Sequence, residues 1–348
     1  MLREIRSYES LDLDLGAGLV LVVGPNGAGK TNLLEALHVG TQGFSPRTRT
    51  DTDLIRFGAA AGSIRLQGER GDSRLEVEMR LRSGEAKRAS LNGASLRAAE
   101  QLRGEAAVLV FTPDRLAIVK GAPAVRRAYF DRIIGRIWRS RMSLPAEYAA
   151  AVGQRNAALR RVAGGLSSRS ALAPWTDRVA ELGTQLAAVR HELVDELRPR
   201  FATVADELGL EGAELTYDGA ELTVEALDAR LERDLERGTT GAGPHLDDVG
   251  ISAGDRELRS YGSQGEQRLA VLALLLAEAQ LITERQGVRP LLLLDDVLSE
   301  LDDERRHLLA AHIAGAGQAL VTATSVAALP VAPDALVEVA PGRARRAA

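Results

Sequence analysis

Hydrophobic and polar positions fall into two grains along the chain. Near its start, residues 5–8 read as a strand, and Leu11, Leu13 and Leu15 alternate with Asp12 and Asp14 as in a half-exposed strand. Leu19–Val23 is an unbroken apolar run, the pattern of a strand buried on both faces. Residues 63–81 continue in short alternating segments (Leu75, Val77, Met79) punctuated by Gly71 and Gly84, and 106–111 read as another buried strand. From about Ala124 the chain becomes charged, rich in Ala and poor in β-branched residues. That predicts helices, divided by Pro145, Pro174 and Pro199. After Gly238 the sheet-like grain returns. It predicts a strand at 249–252, a turn at Gly254-Asp255, a helix over 264–285, a strand at Leu291–Leu294, a helix over 302–314 and a strand at Ala319–Ala323. The expected organisation is a discontinuous α/β domain over residues 1–123 and 238–348, with a mainly helical lobe inserted over 124–237.

Composition narrows the function classes. Lys+Arg is 44 against 48 for Asp+Glu, so nucleic-acid contact would need a local basic patch rather than an overall positive coat. The insert supplies one half of such asymmetry: residues 126–161 hold nine arginines against two acidic residues, and 206–236 hold two arginines against eleven. No cysteine is present, which excludes disulfides, thiolate metal sites and cysteine nucleophiles, and is compatible with a reducing cytoplasm. Charged Arg3, Glu4 and Arg6 speak against a secretory leader. The apolar run 269–277 stops at Glu278, too short to span a bilayer.

The strongest chemical signal is Gly24-Pro25-Asn26-Gly27-Ala28-Gly29-Lys30-Thr31, a complete G-x-x-x-x-G-K-T between a buried strand and a helical run, 32–39. Glycines are needed because the loop backbone must wrap phosphate oxygens closely, presenting its N–H groups with the positive end of the following helix. Lys30 would neutralise the β- and γ-phosphates of ATP, and Thr31 would ligate Mg2+. Only three of the 44 basic residues are lysines (Lys30, Lys87, Lys120), yet this position keeps the compact ammonium.

Two further elements fit the same chemistry. The run Leu291–Leu294 ends in Asp295 and Asp296. Asp295 fits a Walker B carboxylate holding Mg2+ beside Thr31, and Asp296 could polarise the attacking water; an acidic turn after a strand is the bland alternative. Asp296 is shorter than the glutamate usual in transport ATPases, which predicts slow hydrolysis. Ser263-Gln264-Gly265-Glu266-Gln267 has the S-x-G-x-Q form of the ABC-type signature, whose serine and helix N-terminus reach the γ-phosphate of ATP held by the other subunit. The same letters, Ser263 with Glu266 three residues on, also make an ordinary capping box. The signature lies 32 residues before Asp295, and Ser299-Glu300-Leu301-Asp302 follows as a D-loop. Together these elements specify an ABC-type, P-loop, SMC-head-like ATPase. Two parts of its pattern are missing or shifted. No histidine occurs over 322–325, where Thr322 or Thr324 would stand in only in part, and Gln42 is the one candidate Q-loop glutamine.

Lys30 and Ser263 are 233 residues apart, roughly twice the spacing of a transport ATPase. Chromosome-maintenance heads carry a long coiled coil with sustained heptads, which this chain lacks. Gly43-Phe44-Ser45-Pro46-Arg47-Thr48, Leu54-Ile55-Arg56-Phe57-Gly58, Phe111-Thr112-Pro113-Asp114, Arg126-Arg127 leading to Phe130-Asp131, Gln154-Arg155-Asn156-Ala157-Ala158-Leu159 and Pro174-Trp175 resemble motifs of the RecF family of bacterial recombination mediators. Gly243-Pro244-His245-Leu246-Asp247-Asp248 is similar to its Gly-Pro-His-Arg-Asp-Asp, with Leu246 in place of arginine, and 261–268 and 295–306 complete the likeness.

That resemblance implies an ATP-dependent homodimer that binds DNA, places the recombinase RecA on gapped single strands with RecO and RecR proteins, and supports replication restart and the SOS response. It implies a weak, DNA-stimulated ATPase in the cytoplasm, with ATP and Mg2+ as cofactors and no membrane partner. Independently of it, Arg132, Arg136 and Arg139 would share one face of a helix at i, i+4 and i+7, placed to contact phosphates, or else form a solvated arginine-rich face. Aromatic residues are 3% of the chain, so backbone contacts, including contacts to duplex, are expected above base stacking. His245 reads as a phosphate contact or, more ordinarily, a structural turn histidine. The alternatives are the ATPase subunit of a membrane transporter and a nucleotide-binding DNA module without significant turnover.

Overall fold

Leu19–Val23 is buried at all five positions, and a strand with no exposed face needs partners on both edges. The structure, a computed structural model, describes every residue except 49, 72 and 348. Leu19–Val23 lies between Ala319–Ala323 and Ala335–Ala340, parallel to both. The sheet has six strands, in the order Arg343–Arg346, Ala335–Ala340, Leu19–Val23, Ala319–Ala323, Leu291–Leu294, Val108–Phe111. Only the outermost pair, Ala335–Ala340 with Arg343–Arg346, is antiparallel. The carboxyl ends of Leu19–Val23, Leu291–Leu294 and Ala319–Ala323 come level, with Leu21 opposite Val321 and Leu294 opposite Val321. In open α/β sheets ligands bind at that end.

A second, antiparallel sheet runs in the order Tyr8–Leu11, Leu2–Ile5, Ala61–Arg70, Ser73–Arg82, Arg88–Leu91, Ala94–Ser95. One apolar cluster joins side chains of both sheets (Val20, Val22, Ile64, Met79) with Leu33, Leu34 and Leu37 of the helix Lys30–Gln42. That is the layered helix-and-sheet core expected of an α/β domain. Residues 5–8, expected as one strand, are instead a turn. Leu2–Ile5 and Tyr8–Leu11 pair antiparallel with Ile5 opposite Tyr8. The reversal puts Glu4 at φ 50° and Arg6 at φ 51°. Leu13 and Leu15 lie beyond the second strand, partly buried against the same core.

By packing, the chain divides into residues 1–115 with 282–348 and residues 116–281. The first join lies near the expected residue 123, and the second is displaced from the expected 237. The reason is a strand inside the acidic half of the insert: Ala213–Tyr217 pairs antiparallel with Val249–Ala253, Val249 opposite Tyr217 through Ala253 opposite Ala213. Residues 238–281, expected with the returning head, therefore pack with the helical unit. That unit also contains the helices Pro123–Ile137, Leu144–Ala163 and Ala173–Glu207. Pro145 and Pro174 lie in the first turns of their helices, where no N–H is lost. Pro199 lies inside Ala173–Glu207 and ends nothing. An interior proline costs about 3 kcal/mol. Leu193, Val194, Leu197, Phe201 and Val204, all at most 1% exposed, offset it at about 1.5–3 kcal/mol per buried side chain.

Candidate nucleotide site

The phosphate loop leaves the sheet at Gly24, whose N–H still donates to Ala323 O at 3.3 Å. Gly27 has φ 79° and Gly29 φ 110°, backbone that a side chain opposes. At Gly29 space is lacking as well, since a Cβ would lie 2.7 Å from Ser7 Oγ. The turn that splits the first two strands clamps this end of the loop. Tyr8, fully buried, donates its hydroxyl to Gly29 O at 3.0 Å, and Asn32 Nδ2 donates to Ser7 Oγ at 3.1 Å. Arg6 donates twice to the buried Glu35, at 2.9 and 2.8 Å. Glu35 also accepts from Ser45 Oγ and from Arg47 Nη1, which ties the Ser45-Pro46-Arg47 segment to the loop's helix.

The groups expected to hold phosphate and metal come together. Lys30 Nζ donates to Gly24 O at 2.6 Å and Pro25 O at 3.1 Å, so its charge lies on the loop. Burial lowers the Lys30 pKa, and the carboxylates of Asp295 and Asp296 oppose that shift. The Thr31 hydroxyl donates to Asp295 Oδ2 at 2.8 Å, while Asp295 Oδ1 accepts from the Thr322 hydroxyl at 2.8 Å. Asp296 is exposed at φ 53°, and its N–H donates to Thr322 Oγ1 at 2.9 Å. Pro25 and Asn26 are exposed in the loop, and Ala28 is buried in the core. The site fits a nucleoside triphosphate with Mg2+. Its open glycine loop has nothing within 4 Å of a Cβ at Gly27, a lysine stands at its end, and a hydroxyl faces one carboxylate. Such a sparse oxygen set suits Mg2+ bound jointly with phosphates.

Of the three candidates for the γ-phosphate sensor, two are buried and bonded within the fold. Gln42 is buried, and its amide donates to Thr41 O and Ala106 O, a strut between helix and loop. Thr322 is buried behind the two aspartates, and Thr324 is exposed beyond the strand. In the D-loop stretch, Ser299 Oγ donates to Asp296 O, and Asp302 caps the helix Asp303–Gly315 through Arg305 N–H.

Within residues 116–281, the signature stretch makes the capping box that its letters suggest. Ser263 Oγ accepts from Glu266 N–H at 3.2 Å and Glu266 Oε2 accepts from Ser263 N–H at 2.7 Å, a reciprocal capping box at the start of Gln264–Gln286. Ser263 and Gln264 are exposed, Gly265 is half-buried, and the serine oxygen, acting here as acceptor, keeps its own O–H to donate.

Several arginines of the insert are tied to acidic partners within the fold. Arg126 pairs with Asp248, Arg155, wholly buried, with Asp234, and Arg141 with Glu192. Arg136 pairs with the buried Glu278, which also accepts from Tyr129 OH at 2.8 Å. The expected face of three arginines does not form. The helix Pro123–Ile137 ends at Trp138, whose backbone is extended (φ −123°, ψ 91°), and Arg139 begins a separate short turn. Arg132 and Arg139 are exposed. His245 lies between Tyr148 OH at 2.7 Å and Thr240 O at 3.0 Å. Because a carbonyl can only accept, Nε2 carries the proton and Nδ1 accepts from the tyrosine. Burial lowers its pKa, so it serves here as a structural histidine. Leu246 beside it is exposed.

Sequence reading missed Arg6, Tyr8 and Glu35. Glu35 had a signal, the lone acidic residue of the helix Lys30–Gln42, four positions after Thr31. Tyr8 had none.

Fold and site together define an ABC-type, SMC-head-like P-loop ATPase domain with an inserted, mainly helical lobe. The family model described as RecF/RecN/SMC N terminal domain matches residues 1–346. The chain is 36% identical over 338 residues to DNA replication and repair protein RecF of Symbiobacterium thermophilum, covering 92% of this chain and 89% of that protein. Against the protein of the same name from Frankia alni it is 37% identical over 351 residues, covering 94% and 93%. A solved structure of the recombination mediator protein RecF with ATP superposes with TM-score 0.87 at 28% identity, over 100% of this chain and 96% of that one. An Smc head bound to the C-winged helix domain of ScpA, 17% identical with TM-score 0.63 over 99% and 95%, shares the fold. The chain belongs to the RecF family. Membership over nearly the whole length of these relatives leaves the transporter-subunit alternative without support. Among the described residues no helix is long and apolar enough to cross a membrane.

Proposed function

We propose that this chain is an ATP-dependent DNA-binding protein of recombinational repair and replication restart, acting in the cytoplasm. It closes as a homodimer on DNA and, with RecO and RecR proteins, promotes loading of RecA on gapped single strands and so SOS induction. The names of the relatives support the repair role. The observation that carries the nucleotide chemistry is the Asp295 carboxylate shared by the Thr31 and Thr322 hydroxyls beside the phosphate loop.

In this reading two protomers enclose two ATP molecules. The loop N–H groups and Lys30 of one copy hold the phosphates, and Ser263 of a second copy donates its O–H to the γ-phosphate, with Gln264 and Gly265 bringing the helix N-terminus to it. Mg2+, when bound by Thr31 and Asp295, supplies charge neutralisation to the phosphates. Asp296 takes the proton from the attacking water. Its short side chain makes turnover slow, so bound ATP acts as a clamp and DNA-stimulated hydrolysis releases it. Exposed Arg132 and Arg139 are the DNA contacts in the helical unit, and Arg136 acts chiefly within the fold.

Light scattering tests the clamp, without nucleotide and with non-hydrolysable ATP and Mg2+, on the wild type and Ser263→Arg. Conversion of monomer to dimer by nucleotide, lost in the variant, is expected. A wild type that binds nucleotide tightly yet stays monomeric overturns the sandwich for the isolated chain.

A further inference from the structure

Thr322 is out of place by its surroundings. It is 1% exposed in the wholly buried strand Ala319–Ala323, whose other members are alanine, leucine and valine. A hydroxyl there must be fully bonded or it destabilises the core. This one uses both capacities on two consecutive residues of the neighbouring strand's end, donating to Asp295 Oδ1 at 2.8 Å and accepting from Asp296 N–H at 2.9 Å.

The two bonds do different things. The first fixes one oxygen of Asp295, leaving the other for Thr31. The second holds the peptide between Asp295 and Asp296, and Asp296 is an aspartate at φ 53°, a left-handed conformation that persists only where its surroundings determine it. Ser299 Oγ also donates to Asp296 O, at 3.2 Å. Valine in place of Thr322 would keep the shape and the strand propensity and remove both bonds.

We propose that Thr322 is a positioning residue for ATP hydrolysis: its single hydroxyl sets the metal-binding carboxylate of Asp295 and the exposed water-activating carboxylate of Asp296 in one fixed relation. Buried and bonded to both residues, it acts through the two aspartates. The proposal rests on the roles assigned to Asp295 and Asp296 above.

The test compares Thr322→Val, Thr322→Ser, Asp296→Asn and the double variant Thr322→Val/Asp296→Asn in steady-state phosphate release, fluorescent-ATP binding with Mg2+, and thermal unfolding. Expected for Thr322→Val is a loss of kcat of about tenfold or more, with KM and nucleotide affinity within about threefold, as for an interaction made only in the transition state. Thr322→Ser, which keeps the hydroxyl, should recover most of the rate, and the double variant should be no slower than Asp296→Asn alone. Asp296→Asn with full turnover removes the reading beneath, and the proposal with it. Asp296→Asn slow while Thr322→Val turns over at the wild-type rate overturns the proposal alone. So does a Thr322→Val defect that multiplies with Asp296→Asn, that lies wholly in affinity, or that Thr322→Ser does not recover while all variants remain folded.

Discussion

Asp295 Oδ2 accepts from the Thr31 hydroxyl at 2.8 Å, across 264 positions of sequence. Hydrogen bonds to a charged group contribute about 1.5–3 kcal/mol, and the pair is also where the metal would sit. Thr31→Ala should therefore lower Mg2+-dependent turnover about 100-fold, near 2.7 kcal/mol of barrier. Nucleotide affinity without Mg2+ should stay within about threefold of wild type, because the loop amides and Lys30 are untouched. Phosphate release and fluorescent-nucleotide titration with and without Mg2+ separate the two.

Gly27 and Gly29 both have positive φ, but only Gly29 lacks room. Alanine at 27 meets open space and should cost about 1–2 kcal/mol of backbone strain. At 29 the same strain adds to a Cβ 2.7 Å from Ser7 Oγ, so the Tyr8 and Ser7 clamp must shift and nucleotide binding should be lost. Urea denaturation paired with ATP titration of the two variants checks the ordering; equal effects would show that the clamp is pliable.

Glu35 links stability to acid pH. Burial alone would raise its pKa, but hydrogen bonds from Arg6 and Ser45 and the charges of Arg6 and Arg47 outweigh it, so the net shift is below the ordinary 4.5. The ionised form is therefore favoured in the fold. Its contribution is complete above pH 4.5 and is lost as pH falls below that toward the folded-state value. Glu35→Gln should flatten the dependence of the urea midpoint between about pH 5 and pH 3. At neutral pH it should cost about 2 kcal/mol, under the 3–5 kcal/mol of a wholly buried pair, because solvent still reaches Arg6.

Arg132 and Arg136, four residues apart on one helix, should separate on substitution. Arg136→Ala leaves the buried Glu278 with Tyr129 and should destabilise the fold by about 2–3 kcal/mol. Arg132→Ala, at an exposed position, should cost less stability than Arg136→Ala. Removing one phosphate contact should weaken DNA binding and reduce the slope of log affinity against log salt by about one. An unchanged slope in Arg132→Ala would remove it from the DNA interface.

The central sheet was legible in sequence because its strands are buried on both faces. Leu19–Val23, Leu291–Leu294 and Ala319–Ala323 are observed with the bounds their apolar runs suggest. Asp295 and Lys30 were legible for a different reason, as residues whose chemistry demands a spacing. What escaped depends on partners distant in sequence. Ala213–Tyr217 lies in an acidic, helix-like stretch, and only its pairing with Val249–Ala253 makes it a strand. The three arginines had helical spacing, but nothing in the local pattern marks the extended backbone at Trp138. The pairing of Arg126 and Arg155 with acidic residues up to 122 positions away likewise turns part of a basic segment into internal ties.

The strand order bears on synthesis. Leu19–Val23 leaves the ribosome long before both its neighbours, Ala319–Ala323 and Ala335–Ala340. For most of translation the nascent chain therefore carries five apolar residues with two unpaired edges, a template for wrong association. Nucleotide with Mg2+ cannot complete the site in the meantime, because Asp295 has not yet been made. A nascent chain arrested before Asp295 should bind chaperone and gain nothing from ATP with Mg2+, and completing the strands Ala319–Ala323 and Ala335–Ala340 should reverse both together.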